Sequence, residues 1–255
     1  MIQIYKNLLK ELKSSEYSLD KDTINNHCVD WRGKYKGSSE IIFFPKSVSS
    51  IIKIIKFCHK RDIPIVPQGG NTSLVGGSVP RLNKGEIIIN LCKLNKIREI
   101  DTISNTVTVE SGCILQSIND QLESYNLQMP ISLGSKGSCQ IGGNIATNAG
   151  GLNVIKFGSI RSNILGIEAI LPNGELYNDL KTVKKNNTGL DLKQLLIGSE
   201  GILGIITAAT FQIHKKSNDR VVIVISLKKF TQVLTAYQKF MYIFSDFITA
   251  FELMN

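Results

Sequence analysis

The stretch Leu133-Gly134-Ser135-Lys136-Gly137-Ser138-Cys139-Gln140-Ile141-Gly142-Gly143-Asn144-Ile145-Ala146-Thr147-Asn148-Ala149-Gly150-Gly151 carries six glycines in nineteen residues. Most of its other residues are Ser, Thr, Asn and Ala. A chain gives up this much side-chain packing where something else fills the space, and a long flat cofactor is the natural occupant. A second stretch has the same character: Pro67-Gln68-Gly69-Gly70-Asn71-Thr72-Ser73-Leu74-Val75-Gly76-Gly77-Ser78. Glycines there permit positive φ, successive N–H groups form an anion nest, and Thr72 and Ser73 add hydroxyls. A pyrophosphate suits this loop, although alone it also reads as a plain glycine-rich connection. A third cluster, Gly198-Ser199-Glu200-Gly201-Ile202-Leu203-Gly204, completes a bed for a large phosphate-bearing ligand. None of the three has the GxGxxG of a Rossmann unit or the GxxxxGK[ST] of a P-loop.

The flanking patterns place these loops on an α/β frame. Ile41–Phe44 reads as a buried strand, and Ser47 caps a helix with Val48, Ile51, Ile52, Ile55 and Cys58 at helical spacing. Ile63–Val66 and Ile87–Asn90 are strands on either side of the first glycine loop. Thr106–Val109 alternates as a half-buried strand, and Ile114–Asn126 is an amphipathic helix. The segment from Gly134 to Gly158 reads as a loop, followed by strands at Ile164–Leu171 and Leu203–Ile213, with a short helix near Asp191–Leu196 between them. The polar run His214–Arg220 marks a boundary. Beyond it the pattern predicts a strand at Val221–Leu227, an amphipathic helix through Val233, Leu234, Tyr237, Phe240, Met241 and Phe244, and a strand at Ile248–Met254. This apolar end, an open β-α-β segment, calls for a covering partner.

Composition narrows the function. With 255 residues, 42% apolar and 20% charged, the chain buries a core and is neither disordered nor a coiled coil. Lys and Arg outnumber Asp and Glu by 30 to 21. Only six of the 30 are Arg, so the excess reads either as a general Ile, Lys and Asn bias or as attraction for an anionic ligand. No nucleic-acid-binding pattern appears, so no nucleic-acid partner is expected. Five scattered cysteines without a CxxC pair fit reduced, buried thiols, and His27, His59 and His214 lack metal-ligand spacing. Met1–Tyr17 has neither a secretory h-region nor an Arg-rich transit pattern, and no apolar run approaches a membrane span. These features predict a cytoplasmic chain.

Five strings carry a specific resemblance: PQGGNTSLVGGSVP, MPISLGSKGSCQIGGNIATNAGG, FGSIRSNILGIEAILPNGE, KNNTGLDLKQLLIGSEGILGIIT and TAFELMN. Over roughly residues 40–255 the chain resembles the FAD-binding domain of the vanillyl-alcohol-oxidase/PCMH flavoproteins. Within these it is similar to the D-2-hydroxyacid dehydrogenases, the group of D-2-hydroxyglutarate dehydrogenase, D-lactate dehydrogenase and the glycolate oxidase flavin subunit. The resemblance implies an α+β fold: a PCMH-type domain of two α/β subdomains over residues 37–216, after an N-terminal helical extension (1–36). Residues 217–255 would then open a substrate domain whose remainder is missing.

It also implies that hydride passes from C2 of a small 2-hydroxy acid to flavin N5. Pro67, Gln68, Gly69, Gly70, Asn71, Thr72, Ser73, Gly77 and Ser78 would hold the FAD pyrophosphate. Leu133, Gly134, Gly137, Ser138, Ile141, Gly142, Gly143, Asn144, Thr147, Asn148, Gly150 and Gly151 would line the ribityl chain and flavin. Glu200, Gly201 and Ile206 would lie near the adenosine or flavin edge. The first loop has no His where some relatives tether FAD, so binding is expected to be non-covalent. Gln68 stands where many relatives carry Arg, and Ser73 where many carry Gly. No catalytic or metal-binding side chains of the substrate domain have counterparts in this chain, so no catalytic residue and no metal site is assigned. A non-catalytic remnant, or one half of a split enzyme needing a partner in trans, is the alternative, and an NADPH-using peptidoglycan-precursor reductase is a third reading. Lys136 reads as a phosphate neutraliser or a solvated Lys, Arg161 as a flavin contact or a structural anchor, Trp31 as a packing residue, and Cys139 as a thiol without a redox role.

Overall fold

The computed structural model describes residues 2–254. The strands are β1 (Tyr17–Ser18), β2 (Ile42–Phe43), β3 (Ile65–Gln68), β4 (Ile87–Asn90), β5 (Ile97–Asp101), β6 (Thr106–Glu110), β7 (Leu127–Gln128), β8 (Ile164–Ile170), β9 (Leu176–Asp179), β10 (Ile205–Gln212) and β11 (His214–Lys215). The helices are α1 (Lys6–Glu11), α2 (Lys21–His27), α3 (Val48–His59), α4 (Leu115–Glu123), α5 (Ile141–Ala146), α6 (Val154–Phe157), α7 (Ile160–Asn163), α8 (Lys193–Leu196) and α9 (Thr231–Phe244). They form the two α/β units expected from the sequence.

In the first unit the sheet order is β1-β2-β4-β3, with β2 and β3 parallel to β4. A parallel sheet needs cover on both faces, and alternate side chains supply it. Phe43, Ile87 and Ile89 pack against Tyr5 and Leu8 from the N-terminus and Ile51, Ile54 and Cys58 from α3. Ile42 and Ile88 point the other way, onto Ile24 and Cys28 at α2. The Ser47 hydroxyl accepts the Ser50 N–H at 3.1 Å and caps α3. The N-terminal residues are thus part of this unit: β1 joins its sheet, and α1 and α2 cover it.

The second unit is a five-stranded antiparallel sheet, β5-β6-β10-β8-β9. One face carries Val107, Val109, Ile167, Ala209 and Phe211 into a core with α4, α5 and α7. Thr108 and Thr210 are cross-strand neighbours whose hydroxyls meet at 3.0 Å. Arg98 forks onto Glu168 at 3.0 and 3.1 Å and reaches Glu110 at 3.3 Å. Ile170 and Ile205, at the end of this sheet, join the core of the first unit and fasten the two together.

Two predictions fail beyond Lys216. Val221–Leu227 and Ile248–Met254 are irregular and unpaired among the described residues, so neither is a strand. A strand exists only through a ladder partner. Val221, Val222 and Val224 are each about 80% exposed. The helix between them does form, as α9, and Phe251 folds back against Tyr237 and Phe240. Trp31, read as a packing residue, is 63% exposed. The long loop after Leu133 contains the short helices α5 and α6, and β5, β7, β9 and β11 were not anticipated from the sequence. Among the described residues no helix is long and apolar enough to cross a membrane.

Glu16 ties the N-terminal turn to the first unit. Its carboxylate accepts the Lys46 N–H at 2.9 Å and the Lys13 N–H at 3.1 Å. Burial pushes its pKa up, but these bonds and the Ser50 hydroxyl outweigh it and hold the carboxyl below its usual range. A lowered folded pKa gives stability that is present above the unfolded pKa and lost as pH falls through the folded one. Glu16→Gln is therefore expected to lower the melting temperature most at neutral pH, with the gap from wild type closing on acidification through the carboxylate range. A gap independent of pH would show that the charge contributes nothing.

Candidate functional site

The two glycine-rich loops meet at the join between the units. The first leaves the C-terminal end of β3 and the second leads into α5. Their backbones approach so closely that a Cβ on Gly70 would lie 2.0 Å from the Ser138 carbonyl oxygen. A Cβ on Gly142 would sit 2.6 Å from Ser111 Cβ, so α5 packs on the end of β6 only because this residue has no side chain. The turn at Glu200 and Gly201 closes a third side. Both residues are left-handed, with φ of 53° and 84°, and the Glu200 N–H is held by the Ala146 carbonyl at 2.8 Å. A left-handed Glu costs roughly 1–2 kcal/mol, which the surrounding contacts must offset.

Between these walls lies a cleft of about 460 Å³. Seventeen of the sequence-predicted residues line it: Pro67, Gln68, Gly69, Gly70, Asn71, Thr72, Ser73, Gly77, Ser78, Leu133, Gly142, Gly143, Asn144, Thr147, Glu200, Gly201 and Ile206. Seven do not. Ile141 is fully buried in the second core, and Asn148 accepts the Arg161 N–H at 3.1 Å. Gly134 and Gly137 face open space, and Ser138 contributes its carbonyl to the loop crossing. Gly150 packs on Val154, and Gly151 turns at φ 97° against the Ser132 carbonyl. Glycine density marked the whole stretch, whereas the cleft uses only part of it.

The cleft also takes Leu74, Val75, Leu91, Ser135, Cys139, Gln140, Ala146, Ala149, Gly204 and Ile205. Most are immediate neighbours of predicted positions, and Cys139 and Gln140 lie within the glycine-rich string itself. Lys136 lies outside this lining and borders a separate surface hollow. Arg161 is an anchor: its guanidinium donates to the Gln194 carbonyl and side chain and to the Ile197 carbonyl.

The side chains at the loop base are committed to structure. Gln68 is 1% exposed and donates to the carbonyls of His27 (2.9 Å) and Ser78 (2.8 Å), while accepting from Asn90. Asn71, at φ 52°, donates to the Val29 carbonyl at 2.8 Å and accepts the Ser78 hydroxyl at 2.7 Å. Arg32 donates to the Leu74 carbonyl, and the Tyr35 ring lies under Gly76. Residues 27–35 thus form a clamp behind the first loop. All four residues from Gly70 to Ser73 line the cleft, and their N–H groups have no acceptor among the described residues. Glu200 is the one charged side chain lining the cleft among those residues.

This donor set suits a phosphate-bearing cofactor held by main-chain amides, and Gly69, Gly70, Gly142, Gly143 and Gly201 in the lining let backbone come close to a ring system. No cluster that could hold a metal exists among the described residues. The fold and the cleft together define a cofactor-binding domain. Residues 39–179 match the FAD binding domain family, and the chain belongs to it. FAD is the cofactor of that family.

The chain is 40% identical, over all of its length, to a mitochondrial protein of Schizosaccharomyces pombe named for D-lactate dehydrogenase. It is 41% identical, over 92% of its length, to the mitochondrial D-2-hydroxyglutarate dehydrogenase of Danio rerio. It spans 49% and 44% of these relatives, about half of each. The fold is also similar to alkyldihydroxyacetonephosphate synthase, with a TM-score of 0.75 at 24% identity over 84% of this chain and 40% of that one. Both relatives are named as mitochondrial, which overturns the expectation of a cytoplasmic location. That expectation rested on a missing targeting signal, and a chain spanning half of its relatives cannot be read for one.

The clamp makes a prediction. Asn71→Gly keeps the left-handed turn but removes both side-chain hydrogen bonds. It is expected to weaken FAD binding about tenfold, ~1.4 kcal/mol, with a smaller loss of apoprotein stability. Titration by flavin fluorescence quenching, beside thermal melts of the apoprotein, checks it. Equal affinity in the variant would show that the loop needs no clamp.

Proposed function

We propose that this chain is the flavin-holding half of an FAD-dependent oxidoreductase acting on the CH–OH group of a small 2-hydroxy acid. The observation that carries the reading is the row of backbone N–H groups from Gly70 to Ser73, without acceptors among the described residues, on a loop that lines the cleft. In this reading those amides and the Thr72 and Ser73 hydroxyls bind the pyrophosphate. Gly142, Gly143, Asn144 and Thr147 flank the ribityl chain and flavin, and Glu200, Gly201 and Ile206 line the adenosine or flavin edge. Bound FAD would supply the two-electron acceptor. No histidine lines the cleft among the described residues, which supports non-covalent binding.

The named activities of the two relatives support a D-2-hydroxyglutarate- or D-lactate-type substrate. Those relatives are about twice this chain's length, and Glu200 is the one carboxylate lining the cleft among the described residues. The base that takes the hydroxyl proton and the groups that grip the substrate carboxylate are therefore assigned to the remaining half of the enzyme. We assign residues 37–216 to the FAD domain, 1–36 to an N-terminal extension packed into its first unit, and 217–255 to the start of the substrate side. The exposed apolar segment from Val221 to Met254 is where that second half, or a protein partner, would seat.

The purified chain is expected to retain flavin absorbance bands through gel filtration after loading with FAD. Supplied with the second half, D-2-hydroxyglutarate or D-lactate should bleach those bands under anaerobic conditions, and the chain alone should not turn over. A folded chain that takes up no flavin would overturn the reading, and bleaching by NADPH instead of a 2-hydroxy acid would move it to a different reductase class.

A further inference from the structure

Gln140 stands at the crossing of the two loops. Its backbone is fixed by a bridge to Ile114, and its carbonyl accepts the Asn144 N–H at 3.1 Å. Its side chain lies against the first loop: a Cβ on Gly69 would be 3.4 Å from both Gln140 Cβ and Oε1. The residue lines the cleft and is 8% exposed, yet Oε1 is buried without a hydrogen-bond partner. An amide carbonyl stripped of water and left unpaired is costly, and native structures keep few of them. The terminal torsion of a Gln side chain is broad, so its amide plane turns at little cost when a partner arrives.

We propose that Gln140 is a positioning residue whose side-chain carbonyl accepts a hydrogen bond from a neutral N–H or O–H donor of the bound cofactor. This rests on the FAD reading above and adds a buried side-chain acceptor to a site otherwise described by its donors. An acceptor needs a donor opposite it. The pyrophosphate offers only acceptors at neutral pH, so the partner belongs to the riboflavin half or the adenosine half. Pairing removes the desolvation penalty only in the loaded protein, so part of the binding energy comes from relieving a fault in the empty site.

The test uses Gln140→Leu and Gln140→Met, which keep the volume and delete the carbonyl. Their apoproteins are expected to melt at or above the wild-type temperature, because the orphaned group is gone. Their FAD dissociation constants are expected to rise about tenfold, and the thermal shift induced by FAD should shrink in step. Riboflavin and AMP serve as fragment probes: weakened binding of either supports the proposal and assigns the donor to that half, while weakened binding of inorganic pyrophosphate alone overturns it. Apoproteins melting well below wild type would make the amide a structural group and overturn it too. Unchanged FAD affinity in both variants, with wild type binding FAD, overturns the role of Gln140 alone. Wild type that binds no FAD overturns the cofactor reading beneath it.

Discussion

The close approach of Gly70 to the Ser138 carbonyl is the contact on which the rest of the site depends. The two loops come from different units, one parallel and one antiparallel, and they cross where Gly70 carries no side chain. A single methyl group at Gly70 would force the backbones apart by more than an ångström to restore ordinary contact, and the cleft walls would move with them. Ile170 and Ile205 act in the same direction from below, by carrying the end of the second sheet into the core of the first unit. The cleft is thus a consequence of how two hydrophobic cores are joined.

Behind the first loop, the N-terminal residues do the work a disulfide or a metal does elsewhere. Three carbonyls or rings between His27 and Tyr35 and one Arg hold the loop from behind, and none of these contacts uses the N–H groups of Gly70 to Ser73. Those residues precede the region that matches the FAD binding domain family, residues 39–179. A segment outside the family's boundaries therefore shapes the surface that defines the family. Ordering the loop in advance lowers the entropy to be lost when a ligand arrives.

Much of this was legible in the sequence because it is written in local chemistry. The Ser47 cap, the apolar stripe of α3 and the Ile-rich strands at 42–43 and 87–90 obey short-range rules. The glycine strings located the cleft, since a glycine cluster is visible whatever it packs against. What was lost depends on partners distant in the chain. β5 and β9 are edge strands whose pairing with β6 and β8 has no local signature. The strand patterns at Val221–Leu227 and Ile248–Met254 were real in composition but found no ladder. Ile141 and Asn148 sit in the right string, yet one turns into the core and the other bonds to Arg161. Gln140 gave no signal at all, because an unpaired carbonyl appears only once its surroundings are built.

A cleft whose charge complement is main chain also distributes mutational risk in an unusual way. Every residue has an N–H except proline, so the donors at Asn71, Thr72 and Ser73 survive most side-chain replacements. The vulnerability lies in the opposite place, at the few positions where anything larger than hydrogen is too large. Inherited damage to such a site would therefore concentrate in the codons of its handful of crossing glycines, beside those of the few side chains that clamp the loop.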